Sequence, residues 1–415
     1  MGVSPWNVLL RFMQNVKVIT KVGFIIAFYY LSYYLFMGFL NPLPLDGDSW
    51  DYHIPIALSI LNGSFLNASF GTIPRLHNPV TGMIHMLPQW YYPASSEAIN
   101  AIFILFHVPT FSNIFAAIVL FFSCWKLGLT FRLSKYYSIL FALSIVTSGV
   151  IVRWLNSVSI DVWVGVWFVL SLILLEKPKK SVRYFATVGF VLGMLVGSKY
   201  TALYFFTVLI IFYAKRLVRN CNFQRTIAFI IPFSIFGLFW YSRNFILTAN
   251  PFYPLARFGF PGPYLFNDTI WNATLHHPFD MFNANFGEYH LWLFSAFVAV
   301  IALINKFVIK KNFQLDDVHK IFLIGFINVI FYFNFPANSQ VWIMVSSVRY
   351  SIPAFIPLIL GVFMVAAKYK KEELIGYVTI ANMINVLSMA FYPKLILFYL
   401  PVSLLAFYLL DREKT

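Results

Sequence analysis

The chain has 415 residues, of which 60% are hydrophobic and 11% are charged, and its mean hydropathy is +0.75. Soluble globular proteins carry about 25% charged residues, so this composition excludes a soluble domain and indicates a membrane protein. The formal net charge of +15 would suit nucleic-acid binding. Most basic residues, however, lie in loops between apolar runs, which favours membrane topology and predicts no nucleic-acid partner.

Apolar runs long enough to cross a bilayer recur from one end of the chain to the other. A membrane β-barrel would show short alternating segments instead. We therefore predict an all-α polytopic membrane protein with about 12–13 transmembrane helices. The full crossings are predicted near residues 22–40, 111–128, 136–152, 159–175, 184–198, 201–214, 226–242, 291–307, 321–335, 350–367, 375–391 and 394–410. Residues 98–108 form a shorter apolar stretch, which is either a re-entrant or tilted piece or part of the next crossing.

The distribution of basic residues predicts the orientation of these crossings. With the N-terminus in the cytoplasm, 23 of the 30 Lys and Arg residues fall on the cytoplasmic side, as the positive-inside rule demands. The external side then holds two long loops, 41–95 and 243–290, whose aromatic residues suit helices lying in the membrane interface. A bacterial inner membrane with this face toward the periplasm is the expected location, and the endoplasmic reticulum membrane is the alternative.

Directly after the first apolar run, three of the fifteen acidic residues occur within six positions: Asp46, Asp48 and Asp51. A carboxylate cluster is costly to keep where a membrane helix meets water, which points to function. Asp46 is interpreted as a helix N-cap. Asp48 and Asp51 are three apart and would share one side of a helical turn, beside Tyr52 and His53, where a carboxylate acts as a general base or binds a divalent cation.

Three external cations, Lys199, Arg243 and Arg349, each lie at the end of an apolar run. Such residues either anchor helices at the interface or hold a lipid-linked phosphate. Because cations and catalytic carboxylates should not neutralise one another, we expect them on opposite sides of a cleft. Asp161 and Glu97 begin two further apolar runs, and each either interacts with a helix dipole or holds an acceptor or a metal.

Several short polar motifs follow one another along the chain. They are 48–55 (Asp-Ser-Trp-Asp-Tyr-His-Ile-Pro), 92–97 (Tyr-Pro-Ala-Ser-Ser-Glu), 197–201 (Gly-Ser-Lys-Tyr-Thr), 240–254 (Trp-Tyr-Ser-Arg-Asn to Asn-Pro-Phe-Tyr-Pro) and, more weakly, 349–353. In these motifs and their order the chain resembles the GT-C superfamily of integral membrane glycosyltransferases, which use polyprenyl-phosphate-linked sugars and include protein O-mannosyltransferases and the aminoarabinose transferase of lipid A. Residues 48–55 are similar to the first external loop motif of the family, although Ser49 stands where many relatives carry Glu.

The resemblance implies inverting transfer of a sugar from a polyprenyl-phosphate donor to a glycan, lipid or protein acceptor at the outer face. It places the general base at Asp48, the positioning of the acceptor or a metal at Asp161, and the donor phosphate at Lys199 and Arg243, and it leaves open whether Asp51 supplies a second carboxylate. With the residues singled out above, the predicted site has catalytic Asp48, Asp51 and Asp161, phosphate-binding Lys199, Arg243 and Arg349, and acceptor- or substrate-binding Tyr52, His53, Glu97, Tyr200 and Tyr253. Residues 1–355 would form the catalytic module and 356–415 the C-terminal transmembrane helices. No cofactor is implied beyond a possible divalent cation. The alternatives are a transporter or flippase of lipid-linked sugars and a non-catalytic lipid-binding assembly subunit.

Overall fold

The computed structural model describes residues 18–41, 43–44, 46–63, 75–77, 84–86, 88–263, 268–278, 294–337 and 347–391. Within these ranges the chain is almost entirely helical, as the recurring apolar runs predict. The principal helices, with their bounds, are α1 (Val18–Leu40), α2 (Ile54–Leu61), α3 (Glu97–Leu105), α4 (Phe111–Thr130), α5 (Lys135–Val146), α6 (Gly149–Val152), α7 (Asp161–Glu176), α8 (Val182–Val196), α9 (Ala202–Val218), α10 (Phe223–Phe233), α11 (Phe239–Thr248), α12 (Ile270–His276), α13 (Phe294–Ile309), α14 (Asp317–Phe333), α15 (Ile352–Lys368) and α16 (Glu372–Phe391).

Short irregular elements connect these helices or end them. Wide π-type turns span Ser49–His53 and Ser234–Leu238, a third π-type turn, Asn305–Ile309, forms the end of α13, and 3₁₀ turns span Pro88–Tyr91 and Val348–Ser351. The four strands are two residues or three residues long and form two antiparallel pairs, β1 (Arg75–His77) with β2 (Ile84–Met86) and β3 (Asp268–Thr269) with β4 (Pro336–Ala337). The strands therefore contribute little to an architecture that is set by helix packing.

Four helical segments of the described residues are long and apolar enough to cross a membrane: Val22–Leu40, Phe111–Thr130, Phe223–Thr248 and Val348–Lys368. Shorter apolar helices at Lys135–Val146, Val182–Val196 and Phe294–Ile309 coincide with other predicted crossings. Large apolar side chains such as Phe28 and Ile246 are more than 70% exposed, which suits contact with lipid tails. The predicted all-α polytopic membrane architecture is confirmed, and the protein is an integral membrane protein; the predicted crossing at 394–410 lies outside the described residues.

Small residues bring two of these helices into backbone contact. Gly189, Gly193 and Gly197 follow one another at four-residue spacing, so they line one face of α8 and its end. A Cβ added at Gly189 would lie 2.1 Å from the carbonyl oxygen of Phe229, and one added at Gly197 would lie 1.8 Å from that of Phe236. These glycines thus let α8 pack directly on the main chain of the segment from α10 to α11, the close approach that small residues permit in membranes.

The central core is built around α15, whose residues from Ile352 to Met364 are all buried. This helix packs against α14, where a Cβ at Gly325 would meet the side chain of Leu358 at 2.7 Å. The predicted division of the chain after residue 355 falls inside this continuous helix. The division into a catalytic module and C-terminal helices therefore stays a prediction, with no break in the backbone at that residue.

The stretch 98–108 forms most of the nine-residue helix α3, which is too short to cross a bilayer. The loop 41–95, predicted to be external, contains the helix α2, preceded by a wide turn, which agrees with the helices predicted for that loop. In the second loop predicted to be external, 243–290, the described residues include the end of α11 and the short helix α12. Both loops therefore carry helical turns that can position side chains.

Candidate active site

The segment that holds the acidic cluster begins with a capped helical turn. The Ser49 N–H donates to Asp46 Oδ1 (2.9 Å) and the Ser49 hydroxyl donates to Asp46 Oδ2 (2.7 Å). Asp46 therefore caps this turn, as the sequence predicted. The Val158 N–H donates to Ser49 Oγ (3.0 Å), so the turn is also bonded to the segment just before α7.

The turn then widens, and this alters which side chains lie next to one another on its inner side. The Ile54 N–H donates to the carbonyl of Ser49, a bond that spans five residues and defines a π-type turn. Side chains five positions apart approach one another in such a turn, whereas three or four positions do so in an α-helix. Asp48 and His53 both line one cavity, and Asp51, predicted to share a side with Asp48, is not among the residues that line it.

The cavity has a volume of about 630 Å³, within the range of small-molecule sites. Its polar wall combines two acids, one histidine and two cations, from four separate parts of the chain. These groups are Asp48, His53, Glu97, Lys199 and Arg257. Most of the remaining lining is aromatic or aliphatic. It comes from the turn before α2 and from α2 itself, from segments 92–93 and 198–201, from α9, and from the residues that precede α7, follow α11, follow α14 and precede α15. The aromatic and hydroxyl residues of that lining include Tyr52, Tyr92, Tyr200, Tyr204, Thr207, Phe252, Phe258, Phe335 and Tyr350.

An ion-pair cluster lies beside this cavity and joins four segments of the chain: the turn after α1, the start of α7, the segment 197–201 and the turn before α15. An Arg349 guanidinium nitrogen contacts Asp48 Oδ2, and Arg349 Nε lies 3.1 Å from Asp161 Oδ2. Lys199 Nζ donates to Asp161 Oδ1 (2.8 Å), and the Ser159 hydroxyl donates to Asp161 Oδ2 (2.8 Å). The expectation that the cations and acids lie on opposite sides of a cleft is wrong, because burial makes each charge need a close counter-charge.

Burial and pairing act in opposite directions on Asp48. Burial disfavours its charged form, but the charge of Arg349 and the hydrogen bond from its guanidinium outweigh that effect. The pKa of Asp48 therefore lies below its ordinary value. The Tyr52 hydroxyl is affected in the opposite sense, since burial first and the charge of Asp48 second raise its pKa well above the ordinary value. At neutral pH the site thus holds an ionised Asp48 and a protonated Tyr52.

Lys199 is positioned by bonds between the segments 92–97 and 197–201, two of the motifs found in the sequence. The Ser95 N–H donates to the Gly197 carbonyl (2.8 Å), and the hydroxyls of Ser96 and Ser198 are 2.6 Å apart. The Lys199 ammonium lies 3.9 Å from the centre of the Tyr350 ring. Lys199 therefore presents a fixed cation to the cavity, although one of its bonds goes to Asp161.

Glu97 is the first residue of α3 and is 2% exposed. Its Oε1 contacts His53 Nδ1, and its Oε2 accepts a hydrogen bond from Asn100 Nδ2 (2.7 Å). Asn100 also donates to the Val158 carbonyl (2.8 Å) and accepts from the Ser112 hydroxyl (2.5 Å). Both carboxylate oxygens of Glu97 are thus held in place, one by His53.

Arg243 occupies a different environment from the other predicted phosphate ligands. Its guanidinium donates to Asn244 Oδ1 (2.8 Å) and the Trp90 carbonyl (3.3 Å), and lies 5.2 Å from the Trp240 ring. The Tyr200 hydroxyl donates to the Tyr253 carbonyl (2.6 Å) in the same aromatic cluster. Arg243 therefore fastens α11 to the segment 88–92, and it is not among the residues that line the cavity.

Some of the predicted site residues thus line the cavity, and others do not. Asp48, Tyr52, His53, Glu97, Lys199 and Tyr200 line it. Asp161 and Arg349, each 3% exposed, pair with lining residues without lining the cavity themselves. Asp51, Arg243 and Tyr253 also lie outside its lining.

The sequence analysis assigned no role to Arg257. This residue lies in the loop after α11, where its backbone forms a bridge with Phe260, and it lines the cavity. No hydrogen bond or ion pair joins its side chain to another of the described residues. It belongs to the few basic residues predicted on the external side, which was the one signal available in the sequence.

A divalent cation remains an untested expectation. Across the part of the chain that the structure describes, no three His, Cys, Asp or Glu side chains come together as a metal site would require. Two of the acids at or beside the cavity, Asp48 and Asp161, already have cationic partners.

Comparisons with known proteins identify the architecture. No family model matches the chain, and no curated protein matches it. Two similar solved structures are crystal structures of ArnT from Cupriavidus metallidurans. The structure bound to undecaprenyl phosphate has a TM-score of 0.50 at 12% identity, covering 97% of this chain and 74% of that one. The chain has the ArnT fold. The apo structure has a TM-score of 0.46 at 12% identity, covering 86% of this chain and 63% of ArnT.

The ArnT fold agrees with the all-helical membrane architecture that the resemblance of the sequence implies. The chain spans only 63% of the ArnT chain in the apo structure. Structural similarity at 12% sequence identity shows that the fold is shared but does not show that the reaction is. The activity therefore has to be argued from the cavity and its side chains.

Proposed function

We propose that this protein is an integral membrane glycosyltransferase that moves a sugar from a polyprenyl-phosphate donor to an acceptor hydroxyl on the non-cytoplasmic face. The observation that carries the proposal is the cavity of about 630 Å³, in which cations, a carboxylate and a histidine face an aromatic wall. The ArnT fold supports the proposal, since one of the two ArnT structures is bound to undecaprenyl phosphate. The sugar and the acceptor are left open.

The donor has two chemically different parts, and the cavity offers a surface to each. Lys199 and Arg257 are cations that can hold a phosphate, Arg257 by two parallel hydrogen bonds. Leu203, Tyr204 and Thr207 follow one face of α9 on the cavity wall, where an isoprenoid tail would find apolar contact. The pairing of Arg349 with two acids makes it a support for the cluster, in addition to its predicted role at the phosphate.

The transfer needs groups that stabilise the negative charge on the leaving phosphate. It also needs a general base that removes the proton of the sugar-accepting hydroxyl. Direct attack by the acceptor oxygen on the anomeric carbon inverts that carbon, as the sequence analysis proposed. The residues of the turn after α1 that line the cavity and take up protons are Asp48 and His53. The carboxylate assigned as base from the sequence is Asp48, and its ion pair with Arg349 lowers its basicity in the free enzyme.

The test is turnover by the purified protein in lipid nanodiscs with a panel of synthetic polyprenyl-phosphate sugars and candidate glycan, lipid and peptide acceptors. Release of polyprenyl phosphate together with a glycosylated acceptor is the expected result. Transport of the donor across a vesicle bilayer without bond cleavage would overturn the proposal in favour of a flippase. Tight donor binding with neither cleavage nor transport would point to a non-catalytic assembly subunit.

A further inference from the structure

The two ring nitrogens of His53 differ, because one has a hydrogen-bond partner among the described residues and the other has none. The side chain is 1% exposed and lines the cavity. Its Nδ1 contacts Glu97 Oε1, whereas its Nε2 has no hydrogen-bond partner among the described residues. A buried polar nitrogen without a partner costs free energy, so its presence at a cavity wall calls for a ligand that bonds to it.

Glu97 fixes both the orientation and the tautomer of this ring. Because Asn100 holds the second oxygen of Glu97 at 2.7 Å, the carboxylate cannot turn away from His53. A carboxylate accepts hydrogen bonds, so Nδ1 carries the proton of the neutral ring and Nε2 keeps its lone pair. The lone pair is then the only proton-accepting position of the imidazole.

The Glu97 carboxylate also lies beside the ring that would carry a positive charge during the transfer. The imidazolium that forms is stabilised by the negative charge of Glu97, which is 2% exposed and therefore little screened by water. The other charged groups around the cavity are Asp48, one wide turn earlier, and Lys199 and Arg257 across it. Asp48 is held by Arg349, which reduces its tendency to take a proton.

We propose that His53 is the general base of the transfer and that Glu97 is its positioning residue. The proposal rests on the proposed function. As the acceptor oxygen forms its bond to the anomeric carbon, its proton passes to His53 Nε2. The bond between the anomeric carbon and the phosphate oxygen breaks, and polyprenyl phosphate leaves with the electron pair. Proton loss from Nε2 to solvent restores the neutral ring, so one acceptor proton is released per sugar transferred.

The experiment compares H53Q, E97Q, E97D and D48N with the wild type, using the nanodisc assay across a range of pH. H53Q is expected to lower kcat by about 10²–10⁴-fold, the usual contribution of a general base, while polyprenyl-phosphate affinity changes little. E97Q is expected to lower kcat, because the ring loses the carboxylate that holds its orientation and tautomer. E97D, which keeps the charge, is expected to recover part of the rate.

The matched control is H276Q, since His276 is exposed and contacts only the Asn272 carbonyl among the described residues. This variant is expected to keep the wild-type rate. In D48N the fall of kcat/KM toward low pH (its acid limb) is expected at the same pH as in the wild type, even where the rate itself is lower, because the proposed base His53 is still present. Thermal unfolding and polyprenyl-phosphate binding report whether each variant is folded.

A folded H53Q with wild-type kcat would overturn the proposal. So would an acid limb of kcat/KM that disappears in D48N and persists in H53Q. If H53Q does not fold, a folded E97Q with the wild-type kcat would overturn it as well. These results leave the proposed function intact, because the wild type still transfers sugar. Absence of sugar transfer by the wild type is a different failure, that of the proposed function itself.

Discussion

The guanidinium of Arg349 contacts the carboxylate of Asp48, which lies 301 positions earlier in the chain. The same guanidinium lies 3.1 Å from Asp161 and 4.2 Å from the centre of the Trp154 ring. One side chain therefore connects the turn after the first helix, the start of α7 and the start of α15. The arrangement makes Arg349 a structural support of the site, and this role can be separated experimentally from phosphate binding.

Replacing Arg349 by Met is expected to destabilise the protein. Removing one partner of a buried ion pair costs about 3–5 kcal/mol, and the lower end applies here because Asp48 is partly exposed. The melting temperature in detergent should fall clearly, and R349K should lie between R349M and the wild type, because it keeps the charge without the planar fork. The matched control is R257M, whose melting temperature should stay near that of the wild type. Equal stability of R349M and the wild type would contradict the support role.

Arg257 should be needed for the donor more than for the fold. If its guanidinium binds the donor phosphate, the loss of a charge-assisted hydrogen bond costs about 1.5–3 kcal/mol, equivalent to a rise in donor KM of about tenfold or more. R257Q should show this rise with a smaller change in kcat. R153Q is the control, because Arg153 is an exposed arginine outside the cavity lining and is also predicted on the external side. An unchanged donor KM in R257Q would remove Arg257 from the phosphate site.

Gly189 should tolerate no side chain, because a Cβ there would lie 2.1 Å from the Phe229 carbonyl oxygen. We expect G189A to force α8 and α10 apart and to cost about 1–3 kcal/mol. The control is G47A, whose Cβ would lie 3.8 Å from Asp51 Oδ2. G47A should leave the melting temperature unchanged or raise it slightly. A G189A variant as stable as G47A would show that the two helices are not in backbone contact.

The ion pair of Asp48 predicts a pH dependence of stability. Arg349 lowers the pKa of Asp48 against the opposing effect of burial. The folded state therefore favours the ionised form, and the stabilisation is fully present above the ordinary carboxyl pKa of about 4. It is lost as the pH falls through the lower pKa of the folded protein. Melting temperatures of the wild type should therefore drop more steeply between about pH 5 and pH 2 than those of D48N. Parallel curves for the two proteins would contradict this prediction.

The sequence predicted the architecture and part of the site for physical reasons. Apolar runs report helices in a bilayer directly, because every backbone group must be satisfied inside the segment. The motifs at 92–97 and 197–201 were assigned to one site from their resemblance to a family, and the structure brings them together through Ser95 and Gly197. The motifs and their order in the sequence were thus sufficient to find these polar segments.

What the sequence did not predict depends on contacts between distant residues. It marked Arg349 as an external cation at a helix end, but the carboxylates beside it come from two other elements. It placed Asp48 and Asp51 on one side because it assumed an α-helical turn, and the turn is wider. It could not single out Arg257, because one arginine in a long loop carries no periodic signal.

The serine and glycine bonds between the segments 92–97 and 197–201 also matter for protein engineering. Ser95 bonds to the main chain at Gly197, and Ser96 bonds to Ser198, so the walls carrying Glu97 and Lys199 form one rigid unit. A redesign that enlarges the cavity for a bulkier sugar by moving only one of these walls would break those bonds. Libraries for altered substrate range should therefore vary both segments together.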